Sequence, residues 1–142
     1  MRKLVALMAI IMLVVSSIGI CQAAMIQDNS VDIMYIGTSR HFESLTSKTG
    51  NSLAFYGQLT PKSAGSYDNV KVTLKVVNFV TNTTVHNESQ SVFYDSLGGY
   101  FMAKSSCIVP MGGTYYLDVT YKCYKNGVLI ETITGVSSTL SV

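Results

Sequence analysis

Two histidines are the side chains in this sequence best suited to acid–base or nucleophilic chemistry. His41 and His86 lie far apart in the chain, each beside polar, loop-like sequence. A serine–histidine–aspartate triad would also need a nucleophile on a strained turn, and the sequence contains no Gly-x-Ser-x-Gly elbow. The pattern therefore does not predict a catalytic histidine.

The carboxylates are also too scattered to indicate a reaction. Glycoside hydrolysis, for example, needs two carboxylates facing each other across a cleft. Here the acidic residues on predicted strands fall on outward faces, and the full set is Asp28, Asp32, Glu43, Asp68, Glu88, Asp95, Asp118 and Glu131. The sequence predicts no catalytic residue and a non-enzymatic protein.

Cys107 and Cys123 are the cysteines that follow the N-terminal region. An even number of cysteines in an exported protein favours a disulfide. If the two residues end consecutive strands, however, the chain reverses after Cys107 and the second strand then carries it about 30 Å away. A bridge needs Cα atoms within about 7 Å. Two buried thiols are the favoured interpretation, and a Cys107–Cys123 disulfide or an intermolecular bridge are the alternatives.

No metal or cofactor is predicted, because neither cysteine has a second Cys or His at ligand spacing. The most suggestive binding residues are aromatic. Tyr94, Tyr100, Tyr116 and Tyr124 fall on or near predicted outward faces, and exposed tyrosines are typical of sugar-binding and protein-binding surfaces. Outward tyrosines also pair across strands in ordinary sheets. The four tyrosines are the candidate binding site, with a cell-wall glycan or another extracellular protein as the expected partner.

The elements that would position these residues are all strands. Apolar residues alternate with polar ones nearly everywhere after the N-terminus, and Gly, Asn, Asp, Ser or Pro separate the segments. Strands are predicted at 31–36, 52–60, 69–79, 85–94, 100–109 and on both sides of Asn126-Gly127, with Gly57 as a possible bulge. About seven strands at this spacing predict an all-β immunoglobulin/fibronectin-like sandwich, with a small closed barrel as the alternative.

The C-terminal hairpin allows the most detailed prediction. Asn126-Gly127 is the preferred pair for a type I′ turn, because both positions need φ above zero. That turn sets Lys125 opposite Val128 and Tyr124 opposite Leu129. Continued without interruption, it sets Cys123 opposite Ile130, and Lys122 opposite Glu131 as a solvent-exposed ion pair. The inward face of the preceding strand is then Tyr115, Leu117, Val119, Tyr121 and Cys123.

The first 24 residues have the order of a secretory signal peptide. Arg2 and Lys3 precede an uncharged, mostly apolar run over 4–20 and then Cys-Gln-Ala-Ala. We expect cleavage after Ala23 or Ala24, which leaves a single domain over 25–142; an uncleaved anchor is the alternative, since the run reaches the lower limit for a bilayer span. The remaining charge balances, so it gives no argument for nucleic acid or a membrane surface as a partner.

The stretch GTYYLDVTYKCYKNGVLIETITGVSS (113–138) resembles the last two strands of bacterial immunoglobulin-like modules. More narrowly, this stretch and the KVTLKVV strand are similar to an uncharacterised group of small secreted proteins of Gram-positive bacteria. The resemblance implies an exported β-sandwich and supplies no catalytic residue. The predicted function is that of a secreted, extracellular or cell-wall-associated binding or structural module. Carbohydrate recognition through the tyrosines and a partner or inhibitor domain are the alternatives.

Overall fold

The computed structural model describes residues 35–142, which form eight strands in two antiparallel sheets. The predicted signal peptide lies outside the described residues. The strands are β1 (Thr38–Thr49), β2 (Ser52–Pro61), β3 (Asn69–Asn78), β4 (Thr83–Val92), β5 (Phe101–Ile108), β6 (Thr114–Lys125), β7 (Val128–Val136) and β8 (Leu140–Ser141). Within the described part of the chain, no helix is long or apolar enough to span a membrane.

The strand order confirms the predicted sandwich. The three-stranded sheet has the order β1-β2-β5, and the five-stranded sheet has the order β4-β3-β6-β7, with β8 paired with the start of β6. The predicted inward residues of β3 and β6 are all buried, as are Leu53, Phe55 and Leu59 of β2. Alternation decides this burial, because successive side chains of a strand point to opposite faces.

The first strand is not where the sequence predicted it. Of the predicted segment 31–36, residues 31–34 lie outside the described part, and 35–37 form no strand. The chain instead enters the sandwich at Thr38 and pairs with β2 through Thr49. This strand is rich in Ser, Thr and charged residues, so it lacks the apolar alternation by which a strand is recognised. Its pairing with β2 supplies what the pattern does not.

The predicted bulge at Gly57 is wrong. Gly57 is regularly paired with Glu43 on one side and with Ala103 on the other. Its missing side chain leaves room for the opposite sheet, because a Cβ at Gly57 would lie 2.8 Å from the Tyr121 hydroxyl and 2.8 Å from Val119 Cγ1. The glycine therefore marks a close approach between the sheets rather than an irregular strand.

The terminal hairpin confirms the predicted turn but not the predicted register beyond it. Asn126 and Gly127 have φ values of 51° and 74°, and the first two predicted pairs form. Ile130 is then left out of the pairing as a β-bulge, so that Cys123 faces Glu131 and Lys122 faces Thr132. The predicted ion pair between Lys122 and Glu131 is wrong, because one extra residue turns Glu131 to the inner face.

The prediction that the carboxylates on strands face outward is wrong at three positions. Glu43 of β1, Glu88 of β4 and Glu131 of β7 point inward, not outward. Each lies on an edge strand, where the two sheets are open at the side. Inward charges on edge strands protect a sheet against pairing with other chains. These glutamates therefore line the two seams of the sandwich.

Candidate functional site

The four predicted tyrosines do not form one surface. Tyr94 packs toward the core with its ring 5.5 Å from that of Phe101, and Tyr100 covers Gly98 in the connection between β4 and β5. Tyr116 and Tyr124 lie on the outer face of β6, at opposite ends of the strand. Only these two share a face, and each borders its own hollow.

The hollow beside Tyr116 is the most apolar of these surfaces. It is an open depression of about 390 Å³ lined by Phe79, Asn82, Tyr116, Val136 and Thr139, which carry no charge. Phe79 is 60% exposed, and its ring stands edge-on to that of Tyr116 at 6.5 Å between centroids. We call this site the aromatic hollow. Its volume is within the range of small-molecule sites.

The connection that carries Phe79 is held in place by its own hydrogen bonds. The Asn78 side-chain oxygen accepts the backbone N–H groups of Val80 and Thr81, both at 3.0 Å. The Phe79 N–H donates to the Thr114 carbonyl at 2.8 Å. Such bonds fix the backbone that carries the Phe79 ring before a ligand arrives, which lowers the entropic cost of binding.

The rim of the hollow offers polar groups beside the rings. The Tyr116 hydroxyl donates to the side-chain oxygen of Asn82 at 3.3 Å, so the Asn82 amide nitrogen is turned toward other partners. Asn82 adopts a left-handed backbone conformation, with φ of 53°, in the turn before β4. The arrangement combines aromatic faces with an amide and, at Thr139, a hydroxyl.

The second notable cluster surrounds Glu131 at the seam between β1 and β7. Its carboxylate is 9% exposed and accepts the Ile36 N–H at 2.7 Å, the Gly37 N–H at 3.4 Å and the Thr38 hydroxyl at 3.2 Å. The buried Tyr67 hydroxyl donates to the same carboxylate. The carboxylate thus joins the entry to β1, the connection before β3 and the edge strand β7.

Protonation equilibria at this cluster follow from burial and hydrogen bonding. Burial favours the neutral acid, but the hydrogen bonds from Tyr67, from the two backbone N–H groups and from Thr38 outweigh it and lower the pKa of Glu131. Burial and the hydrogen bond to the carboxylate raise the pKa of the Tyr67 hydroxyl. Glu131 is therefore ionised and Tyr67 neutral at physiological pH.

Glu43 of β1 also points inward at the seam between β1 and β7. Its carboxylate is 2.9 Å from the Tyr121 hydroxyl and 2.8 Å from His41 Nδ1, and a Cβ on Gly135 would overlap it. Burial, followed by the Glu43 charge, raises the pKa of the Tyr121 hydroxyl. His41 Nε2 lies 3.1 Å from the Tyr35 hydroxyl, so both ring nitrogens are engaged inside the protein.

Glu88 joins the sheets at the opposite seam, between β4 and β5. The Ser105 hydroxyl of β5 donates to its carboxylate at 2.6 Å, and His86 Nε2 lies 3.4 Å away. The hydrogen bonds from Ser105 and Gln90 lower the pKa of Glu88. The His86 ring also packs against that of Phe55, with centroids 5.5 Å apart.

Both histidines contact neighbouring side chains. His41 borders a hollow with Arg40, and its nitrogens bind Glu43 and Tyr35, while His86 lies beside Glu88 and Phe55. Within the described residues, no three His, Cys, Asp or Glu side chains are grouped to hold a metal ion. The glutamate clusters at the two seams stabilise the fold, because their hydrogen bonds join one sheet to the other.

The two cysteines are free thiols on different sheets. Cys107 is half-buried on β5, and Cys123 is fully buried on β6. Burial, followed by the negative charge of Glu131, raises the pKa of Cys123 to about 12. Burial also raises the pKa of Cys107. Neither has the lowered pKa that a reactive cysteine needs.

Comparisons with known proteins add no functional assignment. No protein-family model matches the chain, and no curated protein does. Among solved structures, it is similar to a candidate beta-galactosidase from Bacteroides fragilis, at 14% identity and a TM-score of 0.43, over 72% of this chain and 16% of that one. It is also similar to a glycosyl hydrolase family 2 member from Bacteroides cellulosilyticus, at 16% identity and a TM-score of 0.41, over 70% of this chain and 14% of that one. The chain spans 16% of the first protein and 14% of the second. A likeness at this level assigns neither a family nor an activity to this chain.

Sequence reasoning missed the key residues of both sites. Phe79 was assigned to the end of a strand, whereas the strand ends at Asn78 and Phe79 lies at the following turn. The signal was present as the apolar pair Phe79-Val80 directly before a polar turn. For Glu131 there was no such signal, because only the bulge at Ile130 turns it inward.

Proposed function

We propose that this protein is an exported, non-enzymatic binding module that recognises uncharged carbohydrate in the aromatic hollow. The observation that carries the proposal is the exposed ring of Phe79, held edge-on against Tyr116. The apolar surface of an exposed aromatic ring is in contact with water in the free protein. A ligand that covers the ring removes this surface from water, which favours binding. The apolar face of a sugar ring fits such a surface, and its hydroxyl groups suit the amide of Asn82 and the hydroxyl of Thr139.

The absence of charge in the lining of the hollow defines the ligand further. Its five lining residues offer apolar area, one amide and hydroxyl groups. A carboxylate or phosphate would find no cation there, while a neutral sugar brings no unpaired charge into the hollow. This supports a neutral sugar unit as the group that occupies the hollow.

The edges of the sheets favour this site over recognition of a partner strand. Three of the four edge strands, β1, β4 and β7, each carry an inward-pointing glutamate, and β7 is also bulged at Ile130. Both features oppose the addition of a strand from another protein. The lining of the aromatic hollow contains neither an inward-pointing glutamate nor a bulged residue.

Binding of neutral glycans, followed by point variants, tests the proposal. The protein is applied to an array of neutral and acidic glycans, and the best neutral oligosaccharide is titrated by calorimetry. We expect Phe79→Ala to weaken binding by about tenfold, since one stacking contact is lost. Phe93→Ala is the matched control, because Phe93 is 73% exposed at the other end of the sandwich. Failure to bind any neutral glycan, or equal effects of both variants, contradicts the proposal.

Export is tested separately with the full chain. After expression in a Gram-positive host, the protein should be found in the medium or on the cell wall. Its measured mass should correspond to a chain that begins at residue 24 or 25. A cell-associated protein of full-length mass would instead indicate an uncleaved anchor.

A further inference from the structure

The two central strands of the five-stranded sheet carry, toward one end of its outer face, two lysines directly opposite each other. Lys71 of β3 pairs with Lys122 of β6, and both side chains are exposed. Directly opposite residues have Cβ atoms roughly 4.5–5.5 Å apart, where like charges repel. Such a pair weakens the free protein, and an anion bound between the two ammonium groups removes the repulsion.

The nearby carboxylates do not neutralise this pair. Among the ion pairs of the described residues, none includes Lys71 or Lys122. Asp68 binds the Lys125 ammonium at 2.8 Å through one oxygen and the Asn126 N–H at 2.6 Å through the other. Asp118 lies opposite Lys75 instead. The two ammonium groups are therefore left with solvent as their partner.

The surroundings of the pair suit an acidic sugar. In the row across the sheet, Ser91 flanks Lys71 and Thr132 flanks Lys122, so hydroxyl groups lie on both sides. A hollow of about 250 Å³ adjoins Lys71, with the Tyr124 ring, Ser91 and Asp68 in its lining, and the charge of Asp68 is paired with Lys125. An aromatic ring beside a cation and hydroxyl groups can stack on a sugar while the cation binds its acidic substituent.

The lysine pair and the aromatic hollow are aligned along the same strand. Tyr116 and Lys122 both face outward from β6, six residues apart, which corresponds to about 20 Å. The residues between them are Asp118 and Thr120 on the same face, so no bulky side chain interrupts the path. A chain of sugar units can lie along this strand and reach both sites.

We propose that Lys71 and Lys122 form a second subsite, which binds the acidic groups of an extended polysaccharide whose neutral unit occupies the aromatic hollow. The inference rests on the proposed function for the identity of the ligand as a glycan. It adds that the natural ligand is an acidic polysaccharide, and that charge and stacking act at separate positions along β6.

Affinity electrophoresis of the full chain in gels containing alginate tests the lysine subsite separately from the aromatic hollow, because every sugar unit of alginate carries a carboxylate and none is neutral. We expect the double variant Lys71→Gln/Lys122→Gln to lose about tenfold in affinity for alginate, because two charge-assisted contacts are removed. The matched control is Arg40→Gln/Lys48→Gln, which removes the same charge from two exposed positions that lie eight residues apart on β1. The control should bind alginate as the parent protein does, and parent binding should weaken with added salt.

Equal losses in the two double variants would show attraction by net charge alone and would overturn the inference, as would unchanged binding in both. Unfolding temperatures of the variants verify that each is folded. Binding of the neutral oligosaccharide is measured in parallel: it depends on Phe79 and not on the lysines. Its loss in Phe79→Ala therefore tests the proposed function, and the alginate result tests the subsite.

Discussion

Glu131 of β7 lies directly opposite Cys123 of β6, so its carboxylate points into the sandwich rather than toward Lys122 on the outer face. There it accepts hydrogen bonds from the entry to β1 and from Tyr67 in the connection before β3. Three separate parts of the chain depend on this one side chain.

Replacement of Glu131 by glutamine should lower the free energy of unfolding by about 1–3 kcal/mol at pH 7. The amide keeps one acceptor oxygen, but its NH₂ group faces donors that the carboxylate had satisfied. Chemical denaturation measures the loss. Lys122→Gln is the control, and it should leave stability unchanged or slightly raised, because it removes a like charge opposite Lys71. Equal, small losses in both variants would instead fit a surface ion pair.

The same substitution should change how stability depends on pH. The pKa of the Glu131 carboxyl group is lower in the folded state than in the unfolded state. Its carboxylate therefore stabilises the fold at pH values above the unfolded-state pKa of about 4.3. This stabilisation is lost as the pH falls through the lowered folded-state pKa. The gap between the parent protein and Glu131→Gln should therefore narrow below about pH 4. A gap that stays constant between pH 7 and pH 3 would contradict this assignment.

Substitution of Gly57 by alanine should destabilise the protein by about 1–3 kcal/mol, because the new methyl group meets Tyr121 and Val119 of the opposite sheet. Gly65→Ala provides a matched control, since no atom lies within 4 Å of the position of its Cβ. That variant should have unchanged or slightly higher stability. Thermal unfolding compares the two, and similar melting temperatures would indicate that the sheets are farther apart than described.

Deletion of Ile130 should be tolerated. Ile130 is the residue left over between the pairs Tyr124–Leu129 and Cys123–Glu131, so its removal joins them without moving Glu131 to the other face. Deletion of Thr132, by contrast, should unfold the edge, because Glu131 or Ile133 must then change face. Circular dichroism and thermal unfolding distinguish the variants. Equal damage from both deletions would argue against the bulge.

The two thiols should differ in reactivity. In the native protein, iodoacetamide should label the half-buried Cys107 slowly and leave the buried Cys123 unmodified. The raised pKa of Cys123, about 12, keeps it protonated even at mildly alkaline pH. Peptide mapping by mass spectrometry identifies the labelled residue, with the denatured protein as the control. A disulfide-linked peptide pair from non-reduced protein would contradict two free thiols.

The aromatic hollow shows why a site is harder to predict than a strand. The rule that exposed tyrosines mark a binding surface selected four residues, and the fold gives each a different environment. Tyr94 packs toward the core, whereas Tyr116 stands beside Phe79. Phe79 has only the weak signal of an apolar pair, Phe79-Val80, before a polar turn. Its role depends on a turn that ends β3 at Asn78 and on β6 lying next to it.

Three features follow from the amino-acid pattern alone: the all-β class, the burial of alternate residues in β2, β3 and β6, and the Asn126-Gly127 turn. These are local properties: a period of two, and two residues that tolerate positive φ. Three others emerge only when the strands are assembled: the place of β1, the role of Gly57 and the direction of Glu131. Each depends on a partner distant in sequence: β2 pairs with polar β1, the Tyr121 ring fills the space at Gly57, and the bulge at Ile130 reverses the face. A one-residue slip in register moves every later side chain of the strand to the opposite face, and the local alternation of residue types does not reveal such a slip.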